Sequence, residues 1–408
     1  MTRGWRLDYS LAGAQFLIAG FHFAAIAPIS PNLELEWGLQ PIEMGLLASV
    51  LFYAYGAMQI PAGLLADLLG SRRMLTLSGL LVAVGAGLFG VATDFVVALI
   101  GRLLLGIGTG MVFTGGVRHI ASVTVGRPKA GERFTLFLGP FAGLNYLGMA
   151  LGSWPLTFVV GVVGWRAPLL AMASVSAVLS GMTWALSGVS KPYGKVGRGH
   201  ILAALAVWRR ESTIWVYTVM RFLYGSFVGM QTLWVVPFLS VSLGFGRWFI
   251  GLVLLAMALG QAIGPMLGSW LTKRSGRPLA VLKLAAGTYA FGCITLLVLT
   301  RVRPEPVFMI ITLFVLAVAQ TTTLVGYGLV SACVGSELQA TVIGMVNVGP
   351  WLGTGVFQLL VGYMVQGLSQ QPGVGVATSA YTTMLLPLAV VAVMALPLNW
   401  LLADKTQS

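Results

Sequence analysis

Charge is scarce in this chain, and negative charge is scarcer still. Of 408 residues only 11 are Asp or Glu, and all charged residues together make up 9%, against 57% hydrophobic. A mean hydropathy of +0.90 leaves too little polar surface to coat a water-soluble globule, which excludes that class. Cysteine is nearly absent: Cys293 and Cys333 both fall inside apolar stretches, which leaves no disulfide framework and no CxxC redox or zinc site. Their expected role is packing. No metal-ligand cluster or nucleophile–base constellation appears, so neither a metal, a cofactor nor an enzymatic activity is expected.

What the chain has instead is a succession of apolar runs of about 20 residues, the length that crosses a bilayer as helix. Marking them by the polar and Gly/Pro breaks between them predicts twelve spans, at 9–31, 42–66, 73–93, 95–120, 133–160, 166–187, 213–240, 248–271, 279–299, 306–333, 341–366 and 378–402. The runs are continuous rather than alternating, so a β-barrel is excluded. The first span is too long for a signal-peptide core, and it is expected to be retained.

The +13 net charge sorts by side of the membrane. With the N-terminus cytoplasmic, 18 of the 24 Lys and Arg fall in cytoplasmic segments; Arg166, Arg247, Arg301 and Arg303 fall outside, and Arg102 and Arg221 lie within spans. The positive-inside rule then places both termini in the cytoplasm, in an inner membrane for a bacterial chain. Basic residues scattered among short loops give no nucleic-acid surface. The bilayer and a small-molecule substrate are the expected partners, and a monomer the expected state.

One connection stands apart, "SGVSKPYGKVGRGHILAALAVWRRES", a Gly/Pro/Lys/Arg-rich linker with a short amphipathic stretch suited to the cytoplasmic interface. It divides the chain into a six-span bundle over 1–188, a linker over 189–211 and a second six-span bundle over 212–408. The halves echo each other: "PNLELEWGL" and "PFLSVSLGF" set Pro31 and Pro237 206 residues apart, and the same offset pairs Gly70 with Gly276. Such duplication is the mark of a transporter built from two similar bundles.

Between the second and third spans the chain reads "GLLADLLGSRRML". Through Gly63, Asp67, Gly70, Arg72 and Arg73 this resembles the cytoplasmic signature of the major facilitator superfamily, Gly-x-x-x-Asp-(Arg)-x-Gly-(Arg)-Arg, with Leu68 and Ser71 where two arginines are usual. The second-half copy "GSWLTKRSGRP" keeps Gly276 and Arg277 but has Lys273 in place of the acid. In the fourth span "RLLLGIGTG", headed by Arg102, is similar to the superfamily's Arg-x-x-x-Gly-x-Gly pattern, and implies a structural role for that arginine. The resemblance implies an all-α membrane fold of two pseudo-symmetric six-helix bundles that rock about a midplane site. The first, fourth, seventh and tenth helices would line it.

Those helices do carry the polar residues. Arg221, Tyr224 and Gln231 share a face of the seventh span, and Gln320, Thr323 and Tyr327 share one of the tenth. Gln15 and His22 lie two turns apart on the first, and Asn145 and Asn347 sit on the fifth and eleventh. All eleven acids lie in loops or at span ends, so no midplane carboxylate is available to Arg221. A central arginine costs about 2.5–3.5 kcal/mol on insertion scales and must face water, a polar network or an anion. An anionic cargo would meet that need; snorkelling to headgroups, or bonding to backbone between helices, would meet it too. The polar residues serve equally as interhelical glue.

The stretches "GMQTLWVVPFLSVSLGFGRWFIGLVLLAMALGQAIG" and "QIPAGLLADLLGSRR" look most similar to the organic-anion branches of the superfamily, including organophosphate antiporters and anion:cation symporters. Organophosphate antiporters carry arginines on both the first and seventh helices, whereas the 206-residue offset sets Gln15 opposite Arg221 here. A single arginine fits a monoanion such as a monocarboxylate. The second and eighth spans lack the arginines of nitrate porters, and "GMALGSWP" departs from the drug-antiporter motif by displacing Pro155. Alternating-access transport of an organic anion is the expected function, secondary active or facilitative: proton symport through His22 or the substrate's own carboxyl, exchange of anions, or facilitated diffusion. Efflux of an amphipathic, drug-like compound and a non-transporting membrane sensor remain as alternatives.

Overall fold

A computed structural model describes residues 3–124, 130–188, 198–302, 305–334, 338–369 and 381–402. The linker residues 189–197, the tail 403–408 and the Asp67 side chain of the signature lie outside the described residues.

The regular structure among the described residues is all helical, as lipid demands of a chain with no edge-free sheet to offer. In order the helices are α1 (Arg3–Ala24), α2 (Ile26–Trp37), α3 (Pro41–Val91), α4 (Phe95–Thr124), α5 (Ala130–Leu151), α6 (Trp154–Val163), α7 (Arg166–Leu186), α8 (Arg198–Arg210) and α9 (Ser212–Gly229). After two π-helical turns come α10 (Arg247–Ser275), α11 (Pro278–Val302), α12 (Pro306–Thr322), α13 (Gly326–Ala332), α14 (Gln339–Ser369) and α15 (Leu385–Leu398).

Ten of the described helices are long and apolar enough to cross a membrane, and eleven if one bent pair is a single span. That pair is α1 with α2, which meet at 46°. The expected first span is therefore a broken helix. The expected fifth is one candidate span, Pro140–Val163, with a short turn where α5 ends and Pro155 opens α6. The expected last span is represented by the shorter α15. Gly70, at φ 76° and ψ 162°, interrupts α3 near the start of its second apolar segment, Leu68–Val91, and Gly276 closes α10 in the left-handed region at φ 65°.

Contacts divide the chain into two compact units: Met1–Ala25 with Val50–Gly197, and Ile26–Ser49 with Arg198–Ser408. Residues 26–49, which the sequence allotted to the first bundle, thus pack with the second half. There α2 lies against the π-helical Met230–Trp234 segment, and Gly45 approaches the Gln358 backbone.

Each unit has a close crossing of two helices in the corresponding place. In the first, α1 packs on α5: a methyl on Gly148 would overlap the Leu17 carbonyl, and one on Gly20 the Asn145 carbonyl. In the second, α9 packs on α14 with the same pairing, Gly353 on the Phe222 carbonyl and Gly225 on the Pro350 carbonyl. Small residues let two helices approach to backbone contact, and dispersion then holds them where lipid supplies no hydrophobic drive.

These pairs fix the internal repeat. Gly148 and Gly353, Leu17 and Phe222, Gly20 and Gly225 are each 205 residues apart, by number, one fewer than the 206 between Pro31 and Pro237. The difference has a visible cause. Between Gly225 and Pro237 the helix widens into the π-turn Met230–Trp234, which accommodates one extra residue in a turn. Arg221 precedes that insertion, so its counterpart is Phe16, not Gln15 as the longer offset suggested.

Gly148→Ala and Gly353→Ala should each destabilise by about 1–3 kcal/mol, as overpacked cores do. Gly181→Ala, on an exposed face of α7 where a methyl meets nothing within 4 Å, should leave the unfolding midpoint in detergent unchanged. Equal midpoints for all three variants would refute the crossing as a close contact.

Candidate functional site

The second unit gathers most of the polar residues singled out in the sequence. Its central helix is α9, whose span from Ser212 to Ser242 is 89% buried by the protein over its most apolar window. With so little lipid-facing surface, Arg221 (6% exposed) has protein rather than headgroups around it.

The geometry around Arg221 comes from a local break in the facing helix. At Thr322 α12 gives way to a 3-10 turn, Thr323–Val325, before α13 resumes. The tighter winding rearranges the carbonyls there. The Thr323 carbonyl accepts the Gly326 N–H and also the Tyr217 hydroxyl, at 2.8 Å. Gly326 is required beneath that phenol, because a methyl would run into the Tyr217 ring. The Thr323 hydroxyl donates to the Gln320 carbonyl and accepts from Arg221 Nη1 at 3.5 Å. The guanidinium carbon also stands 5.7 Å from the centre of the Tyr327 ring, within range of a cation–π attraction.

Tyr327 is itself pinned. Its hydroxyl donates to Asn347 Oδ1 at 3.0 Å, and its ring meets Tyr217 edge to face at 5.4 Å. Gln320, one turn before Thr323, donates from Nε2 to the Tyr224 carbonyl at 3.5 Å. Arg221, Gln320, Thr323, Tyr327 and Asn347 therefore form one cluster, joined by Tyr217. The Thr323 hydroxyl and the Tyr327 ring, both against the guanidinium, are neutral groups.

Two of the residues aligned with Arg221 sit apart from it. Tyr224 turns its ring away toward α11, edge-on to Tyr289 at 5.3 Å, so only its backbone joins the cluster. Gln231 lies ten residues along the helix, in the π-turn, buried and with an Oε1 that has no hydrogen-bond partner among the described residues. Close by, Trp234 Nε1 donates to the Gln358 carbonyl, and Gln358 Nε2 donates to Thr232.

In the first unit the candidates are mostly engaged in joining helices. Gln15 Nε2 donates to Thr183 on α7 at 2.9 Å, and Asn145 Nδ2 to the Phe16 carbonyl on α1 at 3.1 Å. Arg102 (1% exposed) donates from Nη1 to the His22 carbonyl at 3.1 Å, with its guanidinium 5.8 Å from the Phe89 ring. That carbonyl is one of those a helix leaves unpaired in its last turn, here just before the α1/α2 bend. Arg102 so closes a broken helix end. The His22 ring is buried, edge-on to Phe21 at 5.4 Å, and its Nε2 has no hydrogen-bond partner among the described residues.

The fold and its signature loop meet known proteins in the same terms. Residues 12–249 match the family model of the Major Facilitator Superfamily. The chain belongs to the major facilitator superfamily. It is 27% identical over 300 residues to a probable sulfoacetate transporter of Cupriavidus necator, covering 68% of this chain and 66% of that protein. It is also 24% identical over 362 residues to a probable L-galactonate transporter of Escherichia coli, covering 82% of this chain and 77% of the other. The crystal structure of the nucleoside transporter NupG superposes with a TM-score of 0.74 at 14% identity, covering 97% of this chain and 99% of that one, a likeness of fold alone.

As a superfamily member the chain is a multi-pass membrane protein of a transporter family, not an enzyme. In its signature loop Arg72 bonds the Trp184 carbonyl at the end of α7 and stacks on that indole at 4.8 Å. Arg73 is exposed, and a methyl on Gly63 would meet nothing within 4 Å. Tyr217 and Gly326, which build the Arg221 pocket, were not among the sequence candidates: Tyr217, one turn before Arg221, carries the same helical-spacing signal as Tyr224, whereas a glycine carries no polar signal.

If Arg102 serves α1 rather than cargo, Arg102→Gln should lower the unfolding midpoint while leaving the affinity for any transported solute within about twofold. A hydrogen bond from a charged donor contributes about 1.5–3 kcal/mol. Selective loss of solute binding at unchanged stability would contradict this role.

Proposed function

We propose that this chain is a secondary transporter of a small organic anion, a monocarboxylate in the simplest case, and that Arg221 is the positive charge that receives it. One observation carries the reading: a guanidinium buried in the middle of an apolar span, against a hydroxyl and an aromatic face. The sequence sets every acid in a loop or near a span end. An anion bound beside it would lower the cost of holding a guanidinium away from bulk water, about 2.5–3.5 kcal/mol on insertion scales. The names of the two relatives, for sulfoacetate and L-galactonate, point to anionic solutes as well.

Phe16 at the position equivalent to Arg221 leaves one arginine, not two, on this pair of helices. That supports a monoanion over a phosphate ester. The reading includes transport by alternating access, which membership of the family supports, through twelve spans in two six-helix bundles joined by the 189–211 linker, with both termini on the cytoplasmic side of an inner membrane. With no acid in the middle of α9, exchange of anions or proton symport with the substrate's own carboxyl are the simplest couplings.

Counterflow in proteoliposomes tests the proposal. A monocarboxylate preloaded inside should accelerate entry of the same labelled anion, and Arg221→Gln at equal expression should reduce that rate by about 100-fold or more, the scale of a lost charge-assisted pair of hydrogen bonds. Arg221→Lys should recover only part of the rate, because an ammonium cannot reproduce the guanidinium fork. Unchanged counterflow in Arg221→Gln would remove Arg221 from the site. Anion binding without exchange would favour the sensor reading.

A further inference from the structure

The Arg221 cluster contains an acceptor that meets no donor among the described residues. Gln320 is 2% exposed, and its Oε1 has no hydrogen-bond partner among the described residues. Which atom is oxygen follows from the chemistry of the neighbour: the other amide atom faces the Tyr224 carbonyl at 3.5 Å, and a carbonyl can only accept, so nitrogen must point there and oxygen away. A buried amide oxygen left unmatched costs about 1–3 kcal/mol, so it calls for a donor.

The position of this oxygen relates it to the charge. Gln320 is tied to the Tyr224 backbone, three residues beyond Arg221 on α9, about 4.5 Å along the axis at 1.5 Å per residue. On the other side Thr323, which accepts from Arg221, donates to the Gln320 carbonyl. The acceptor and the cation thus stand on two facing helices, α12 and α9, linked through Thr323 and the Tyr224 carbonyl. A solute whose carboxylate binds Arg221 would meet this acceptor with the carbons that follow the carboxylate if it lay along the two helices.

We infer that the site selects anions carrying their own hydrogen-bond donor, a hydroxy-monocarboxylate class, with Arg221 binding the carboxylate and Gln320 Oε1 accepting from a hydroxyl near it. The inference rests on the anionic reading of Arg221 and adds a specificity residue to it. Tyr327, fixed through Asn347, and Tyr217, fixed through the Thr323 carbonyl, have committed their hydroxyl protons elsewhere, which leaves Gln320 as the group in the cluster that discriminates. Rejection of the analogue lacking a donor follows because binding it would leave the amide oxygen buried and unmatched.

The test compares matched pairs in the intact protein: lactate with propionate, and gluconate with hexanoate, as competitors in counterflow and as stabilisers of the purified protein. The hydroxylated member should bind at least tenfold more tightly (about one order of magnitude for one matched hydrogen bond), and Gln320→Met should narrow that preference to about threefold or less while Arg221→Gln abolishes binding of both members. Should Gln320→Met fail to fold, the wild-type pairs decide alone. Equal affinities within each pair, both lost in Arg221→Gln, overturn the donor requirement and leave the anionic site standing. Pairs unaffected by Arg221→Gln overturn the anionic reading itself. Absence of binding by lactate and gluconate overturns the inference outright.

Discussion

A guanidinium on α9 has to be solvated by the protein that buries it, and the second unit is arranged accordingly. An arginine keeps its charge in proteins, so the surrounding helices bring a hydroxyl and an aromatic face to Arg221 in place of water. The 3-10 break after Thr322 brings Thr323 into position, Gly326 makes room for Tyr217, and Asn347 holds Tyr327 over the charge. An uninterrupted α12 would not offer the same carbonyl to Tyr217. Both groups are neutral, and the sequence keeps its acids in loops and at span ends. An anion that comes and goes is the chemistry a carrier needs at such a point.

The two units answer the same packing constraint in parallel and then diverge. Each sets a glycine of one helix on a carbonyl of the other, α5 on α1 and α14 on α9, so the scaffold is common. At the position equivalent to Arg221 the first unit has Phe16, stacked on Phe141 at 4.8 Å, so one copy holds charge and the other an aromatic core. Arg102, the other buried arginine within a span, is spent on the broken end of α1. Duplication thus supplied a common frame, in which the position of Arg221 in one half is an aromatic residue in the other.

Much of this frame was legible in the sequence because hydropathy and punctuation are local signals. The helices at 95–124, 166–186 and 247–275 were readable from apolar length alone, and Gly70 and Gly276 from their loops. The break in the first span was not, because Pro28 and Pro31 are tolerated within and beside helix starts and give no bend angle. The repeat register failed for a sharper reason. A π-turn adds one residue without changing hydrophobicity, so the loop offset was carried back past Met230–Trp234 and matched Gln15 to Arg221. Gln15 instead bonds Thr183. In the candidate site, Arg221, Gln320, Thr323, Tyr327 and Asn347 were visible by their polarity; Tyr217, one turn before Arg221, carries the same signal, and its role follows from its hydrogen bond to a carbonyl beside the 3-10 turn.

The central claim is that Arg221 recognises charge. Its most direct measurement is the stabilisation of the purified protein by an anion and by the neutral isostere of the same shape, lactate against lactamide, at matched ionic strength. The account predicts that lactate raises the unfolding midpoint in a saturable manner while lactamide does not, and that the difference vanishes in Arg221→Gln. Equal stabilisation by lactate and lactamide, or a difference that survives in Arg221→Gln, would contradict it.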